Sequence, residues 1–226
     1  MQNALTGKRI LITQATEFMG PTLCTVFAEQ GADVVQSNAD LSAADAVEEV
    51  LRNAGSFDVL FSNLSILAPS TPASDVGEAE WKSVFAALVD PLPRLTRAVL
   101  PIFASRGGGK ILVVGSASAL RGMKRASSYS AARGAQLAYV QAVGVELAPQ
   151  NIQVNAIAQN FVDNPTYFPA SVQANPRFQE RLAREVPLGR LVSAREDALF
   201  AAYLCSDAAN CFVGQVFPVS GGWATK

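Results

Sequence analysis

Residues 111–133 read ILVVGSASALRGMKRASSYSAAR, and this stretch decides the fold. Four apolar residues, Ile111 to Val114, run into Gly115-Ser116, the pattern of a strand buried on both faces. Tyr129 follows Ser116 after twelve residues and Arg133 follows Tyr129 after three. A tyrosine and an arginine four apart at a helix start share one face. An arginine there favours phenolate and lowers the tyrosine pKa from its usual value of about 10. A serine hydroxyl at the end of the neighbouring strand can then share a substrate oxygen with the phenol. Taken singly, a surface Ser, a half-buried Tyr and a solvated Arg are ordinary. At this spacing, on strand end and helix start, Ser116, Tyr129 and Arg133 read as catalytic residues.

Working outward, apolar runs alternate with amphipathic segments, the signature of a doubly wound parallel α/β sheet. Strands are expected at Arg9–Thr13, Val34–Gln36, Asp58–Ser62, Lys110–Gly115, Ile152–Ala158 and Gln215–Val219. Helices are expected from about Pro21 to Gln30 and over Ala43–Asn53, where Ala44, Val47, Val50 and Leu51 share a face. A long helix over Trp81–Phe103 should bend near Pro91 and Pro93. Ser130–Leu147 reads as a helix with an alanine-rich face (Ala131, Ala132, Ala135, Ala138) suited to close approach of another subunit. A polar and aromatic loop runs to about Ala174, followed by short helices near Pro176–Glu185 and Ala194–Ser206. The interval between the second strand and Ala43 is short, so the helix and strand usual there are trimmed, or Asn38–Leu41 is their remnant. No repeat or linker divides the 226 residues, which read as one domain.

Composition excludes several functions. Net charge is −1 with no basic run, so there is no electrostatic case for nucleic acid or an anionic membrane. No apolar stretch approaches the roughly 20 residues of a membrane helix, and Met1–Arg9 is too polar for a signal peptide. Cys24, Cys205 and Cys211 lack metal-ligand spacing and read as inert core thiols of a reducing cytoplasm. The chain has no histidine, which rules out a Ser–His–Asp triad and argues against a metal site.

The segment from Ser116 to Ala135 resembles the Ser–Tyr–Lys region of the short-chain dehydrogenases/reductases, with Arg133 in place of lysine. Val186-Pro187-Leu188-Gly189-Arg190-Leu191, Gly214-Gln215-Val216 and Ser220-Gly221-Gly222 resemble that family's C-terminal half, so the likeness spans essentially the whole chain. It implies a Rossmann-like sheet with helices on both faces. In that family the lysine also bonds the nicotinamide ribose, a role for which a guanidinium is a poor substitute.

A dinucleotide turn needs glycines so that the backbone can approach the pyrophosphate. Here residues 13–20 read TQATEFMG, with Gln14 and Phe18 at the first two glycine positions and only Gly20 kept. The Phe18 ring would enter the volume of a phosphate or nicotinamide. Asn38 stands near the position of a ribose-binding Asp. Residues 62–65 read SNLS where the family has Asn-Asn-Ala-Gly, and the family's Pro-Gly and later Thr become Gln159-Asn160 and Asn164. Leu88 replaces the asparagine of the family's proton relay. No cofactor is expected.

Thr13, Phe18 and Gly20, taken with Ser116, Tyr129 and Arg133, resemble the halohydrin dehalogenases, cofactor-free relatives that convert vicinal haloalcohols to epoxides. Asn164-Pro165-Thr166-Tyr167-Phe168-Pro169 and Asn175-Pro176 are similar too, whereas Gln159 stands where that group more often has proline. The resemblance implies a halide in the vacated nicotinamide space, held by Phe18, Gln159, Asn160, Phe161, Val162 and Phe168. Aromatic edges and the Asn160–Val162 backbone N–H groups would bind the anion. Leu64 and Tyr167 would line the substrate pocket, with residues 64–72 and 119–127 on that side. The partners implied are a small haloalcohol or epoxide, a halide or pseudohalide (azide, cyanide or nitrite), and three further copies in a homotetramer. A divergent NAD(P)-dependent reductase and a non-catalytic scaffold are the rival readings.

Overall fold

In the computed structural model, which describes residues 3–43 and 45–225, six parallel strands form a sheet ordered β2-β1-β3-β4-β5-β6. The strands are β1 (Arg9–Thr13), β2 (Asp33–Ser37), β3 (Val59–Ser62), β4 (Gly109–Ser116), β5 (Ile152–Gln159) and β6 (Val216–Val219). Among the described residues the helices are α1 (Gly20–Glu29), α2 (Ala46–Ala54), α3 (Glu78–Leu88), α4 (Pro91–Arg106), α5 (Ser127–Leu147), α6 (Ala170–Gln173), α7 (Pro176–Glu185) and α8 (Ala194–Cys205).

Alternation along each strand distributes side chains to two cores. Ile111 and Val113 of β4 pack with residues of α2 to α5, while Leu112 and Val114 pack with α1 and α8 on the other face. β1 and β3 divide in the same way: Leu11 and Leu60 face the first core, and Ile10, Ile12, Val59 and Phe61 face the second. Phe27, Phe57, Phe61 and Phe103 are fully buried, each contributing about 1.5–3 kcal/mol over an exposed ring. A third, smaller cluster of Ala117, Phe161, Leu182, Val186 and Trp223 lies apart from these two.

The expected elements are present, with differences at their edges. The helix expected over Trp81–Phe103 is two helices, interrupted at Val89 and Asp90. Pro91 and Pro93 lie in the first turn of α4, where a missing N–H costs no hydrogen bond, so they start a helix rather than bend one. α2 begins at Ala46 rather than Ala43, with Val47, Val50 and Leu51 buried as expected; Ala44 lies outside the described residues. α5 begins three residues before Ser130, which brings Tyr129 into its first turn. The loop to Ala174 contains the short α6.

β2 pairs with β1 alone and forms an edge of the sheet. Eight residues separate Ser37 from Ala46, too few for a crossover helix and a further strand. The cysteines are less uniform than expected. Cys205 is fully buried and Cys24 partly so, but Cys211 is exposed because it follows the last turn after α8.

α5 crosses the sheet at very close range where Gly144 meets the backbone before β6. A Cβ at that position would lie 2.5 Å from Gly214 N and 2.6 Å from Gly214 Cα. Gly144→Ala should therefore destabilise the fold by about 1–3 kcal/mol, measured as a lowered midpoint in denaturant unfolding. An unchanged midpoint would mean that the two backbones can separate freely.

Candidate active site

The site lies at the carboxyl ends of β1, β3, β4 and β5, where open parallel sheets bind ligands. β4 and β5 pair without interruption from Gly109–Ile152 to Ser116–Gln159, so Ser116 sits beside Gln159. The chain then turns tightly through Ala117–Ala119, and Ser116 Oγ accepts hydrogen bonds from the Ser118 backbone N–H (3.2 Å) and hydroxyl (2.9 Å). Ser118 thus fixes the orientation of Ser116, a role absent from the sequence reading.

α5 presents Tyr129 and, one turn later, Arg133. Arg133 is 3% exposed, and its Nη1 donates to Leu64 O (2.8 Å), Val114 O (2.9 Å) and Gln136 Oε1 (2.8 Å). Gln136 is itself anchored through Nε2 to Leu88 O at 2.6 Å. The guanidinium carbon stands 5.0 Å from the centre of the Tyr129 ring. Among the described residues no carboxylate pairs with Arg133. Burial pushes the Tyr129 phenol up, but the Arg133 charge and the neighbouring polar groups of Tyr167, Arg133 and Ser116 outweigh it, so the phenol is held below its ordinary range. Tyr167 moves the opposite way, raised by burial and by the neighbouring Tyr129. Its hydroxyl donates to Ile66 O (2.7 Å) and accepts from the Ala68 N–H (3.0 Å). Of the two tyrosines, Tyr129 is the one poised to lose its proton.

Ser116, Tyr129 and Arg133 open into a cavity of about 300 Å³. Phe18, Gln159, Asn160, Phe161, Val162, Phe168 and Tyr167 all border it. Leu64 does not: its side chain is buried in the core below α5, and its carbonyl holds Arg133. Ser65 and Ala68 face the cavity instead, and Met123 does so from the 119–127 segment. The aromatic rings form a connected wall, with Phe161 stacked on Phe168 (centroids 6.1 Å apart) and Phe18 against Tyr167 (5.7 Å).

Two of the three expected backbone donors are already engaged. The Asn160 N–H donates to Val219 O and the Phe161 N–H to Asn160 Oδ1. An anion at the Phe161 N–H therefore has to displace the Asn160 side chain. Arg181 of α7, 5.4 Å from the Phe161 ring centre, adds a positive charge at the rim. It carries no motif and only the tertiary fold brings it here.

The turn after β1 is unusual in its backbone. Gln14 (φ 45°) and Phe18 (φ 49°) are both left-handed, a conformation that costs a bulky residue on the order of 1–3 kcal/mol. Gly20 remains glycine because a Cβ there would meet Gln14 O at 2.4 Å. The Gln14 side chain spans to the Ser65 peptide, accepting from its N–H (2.6 Å) and donating to its carbonyl (3.1 Å). The Thr16 N–H and hydroxyl both donate to Asn38 Oδ1 at 3.0 Å.

A serine, a tyrosine and a basic residue at the carboxyl ends of a doubly wound parallel sheet define a class of α/β enzymes. The family described as enoyl-(acyl carrier protein) reductase matches residues 3–224, and the chain belongs to the short-chain dehydrogenase/reductase superfamily. It is 29% identical to the cis-4-hydroxycyclohexanecarboxylate dehydrogenase of Sinomonas cyclohexanicum, over 99% of both chains. It is 27% identical to dehydrogenase/reductase SDR family member 4 of Bos taurus, over 98% of this chain and 88% of the relative. A solved structure described as a dehalogenation enzyme superposes with a TM-score of 0.90 and 30% identity, over 98% of this chain and 100% of the other. The L-sorbose reductase of Gluconobacter frateurii, complexed with NADPH and L-sorbose, shares the fold with a TM-score of 0.91 and 22% identity, over the whole of both chains.

An ultraviolet titration of the protein, differenced against Tyr129→Phe, should show one phenol ionising below the usual value of about 10. Arg133→Met should move that transition to higher pH, because the charge that opposes burial is gone. A transition unmoved by Arg133→Met would show that the guanidinium does not set the acidity of Tyr129.

Proposed function

We propose that the chain is a cofactor-independent halohydrin dehalogenase, converting vicinal haloalcohols to epoxides with release of halide, and running the reverse ring opening with small anions. One observation carries the reading. The ring of Phe18, on a left-handed residue at a glycine position of the family turn, borders the same cavity as Ser116, Tyr129 and Arg133. The 30% identity to a dehalogenation enzyme supports it.

The residues present do not fit a dinucleotide. Gln14 links the turn to Ser65, and Asn38 is spent on Thr16, so the space beside the pyrophosphate and ribose positions is occupied by side chains. Arg133 gives its Nη1 bonds to carbonyl and amide oxygens of the protein itself rather than offering them to a ribose.

In the proposed reaction Ser116 hydrogen-bonds the substrate hydroxyl oxygen. Tyr129, as phenolate, takes the hydroxyl proton. The oxygen then forms a bond to the adjacent carbon as the carbon–halogen bond breaks, and the halide leaves with the bonding pair toward Phe18, Phe161 and Phe168. Both reacting centres lie in one bound molecule, so little entropy is lost on reaching the transition state. In reverse, Tyr129 protonates the epoxide oxygen while an anion attacks carbon. Assembly as a homotetramer goes with this reading. It is supported by the outer strip of α5, where Ala138 and Ala142 are exposed and Val145 is 69% exposed. Ala132, expected on that face, is instead in the core.

The many dehydrogenase relatives favour one alternative, an NAD(P)-dependent reductase. A single assay separates the two: halide release from 1,3-dibromo-2-propanol without nucleotide, beside NADPH binding. The expected result is halide release and no measurable binding. Tyr129→Phe should lower the release by about 10²–10⁴-fold while the protein still folds and unfolds cooperatively. NADPH binding without halide release would reverse the assignment.

A further inference from the structure

Gln159 connects the cavity to a buried acid. Gln159 is one of the residues lining the cavity, and its Nε2 donates to Asp197 Oδ2 at 2.6 Å. Asp197 lies in the first turn of α8, is 1% exposed, and has no partner for Oδ1. Ala198, Ala201 and Ala202 beside it are core residues. No step of the proposed reaction uses this carboxyl. Burial pushes it up to about 7, against the single hydrogen bond from Gln159 that pulls the other way. The amino end of α8 favours the carboxylate as well, so burial is opposed from two sides.

The neighbouring charged and titratable groups are committed elsewhere. Glu29 of α1 pairs with Arg195, and Glu196 pairs with Arg190 ahead of α8. Cys24 of α1 bonds Ala15 O, Asp163 accepts from Gln173, and Arg181 pairs with Glu185. β5 and β6 carry no ionisable side chain, and Lys110 of β4 sits at the far end of its strand. Tyr203 and Cys205 lie on later turns of α8, and Tyr129 and Arg133 border the cavity itself. None of these groups hydrogen-bonds to Asp197.

A glutamine amide has two faces. Against a carboxylate it turns its NH₂ to Asp197 and leaves its oxygen free. Against a protonated carboxyl it can accept the proton through its oxygen and free the NH₂ for the cavity. An anion prefers the second arrangement twice over, since it gains a donor and loses a buried negative charge nearby. We propose that anion binding in the cavity is coupled to a proton on Asp197, which acts through Gln159 as a positioning residue for the anion site. The inference rests on the halide reading above.

The test is bromide binding, followed as saturable quenching of tryptophan fluorescence. Trp223 is a suitable reporter, 5% exposed with its ring 6.0 Å from that of Phe161. Measurements are made between about pH 5.5 and 8.5 in Tyr129→Phe, so that the phenol cannot contribute. Binding favours the protonated acid, so the bromide Kd should climb as pH rises through its range, approaching about tenfold per pH unit. Adding Asp197→Asn, whose amide can donate as the protonated acid does, should flatten the profile and keep the tight acid-pH affinity at alkaline pH. Gln159→Met, which removes the relay without touching Asp197, should flatten it at weaker affinity. A step that persists in either double variant, or binding that never depends on pH, overturns the coupling alone. No binding at any pH overturns the halide reading and the coupling with it.

Discussion

The Arg133 guanidinium is the constraint on which the rest of the site depends. It is a buried cation without a carboxylate, held by two backbone carbonyls and one amide oxygen. Removing a charge from water costs several kcal/mol even after relaxation. Carbonyl dipoles offset part of that cost, and a negative charge on Tyr129 offsets more. The fold therefore gains electrostatically when the phenol ionises, which is what a general base requires. The geometry is expensive to hold, and several elements contribute to it. Leu64 leads out of β3, Val114 lies in β4, Gln136 is on α5, and Leu88 ends α3 to anchor Gln136.

A second constraint shapes the other wall of the cavity. Phe18 and Phe161 both have left-handed backbones and both carry rings that border the cavity. Bulky residues in that conformation persist only where surrounding structure determines them. Here the Gln14 bridge to Ser65 and the bonds of Asn160 and Val192 with the Phe161 segment do so. The aromatic wall is thus set by backbone geometry as much as by side-chain packing, and Gln159, which bonds Asp197, lies two residues before Phe161 in the chain.

The legibility of the molecule in its sequence varies with how local the physics is. The expected bounds of β1 and α7 coincide with the observed ones, because a short apolar run and a proline in a helix's first turn are local signals. The expectation of one bent helix over Trp81–Phe103 differs from the structure because two prolines are equally compatible with a bend and with a new first turn, and only packing of α3 against α5 and α4 selects the latter. Leu64, expected in the pocket, lies two residues after β3. Its side chain points into the core, and its neighbour Ser65 takes the place expected of it. One residue of offset decides which face a side chain meets. Local apolarity groups Cys211 with the core thiols, yet the turn after α8 leaves it exposed.

The doubly wound class, the Ser116–Tyr129–Arg133 set and the absence of glycine at two turn positions are legible in the order of residues alone. The first two follow from periodicity and from fixed spacings on one strand and one helix, and the third from the resemblance of the turn to a dinucleotide-binding one. Only the tertiary structure decided what surrounds them: the three acceptors on Arg133, Ser118 behind Ser116, the capped Phe161 N–H, Arg181 at the rim and the buried Asp197 behind Gln159. Some join residues far apart in the chain, as Leu64 with Arg133 and Gln159 with Asp197; others, as Ser118 with Ser116, depend on how a local turn is closed. No periodic pattern records either, because both depend on where the sheet's register and the close crossing of α5 place one backbone against another.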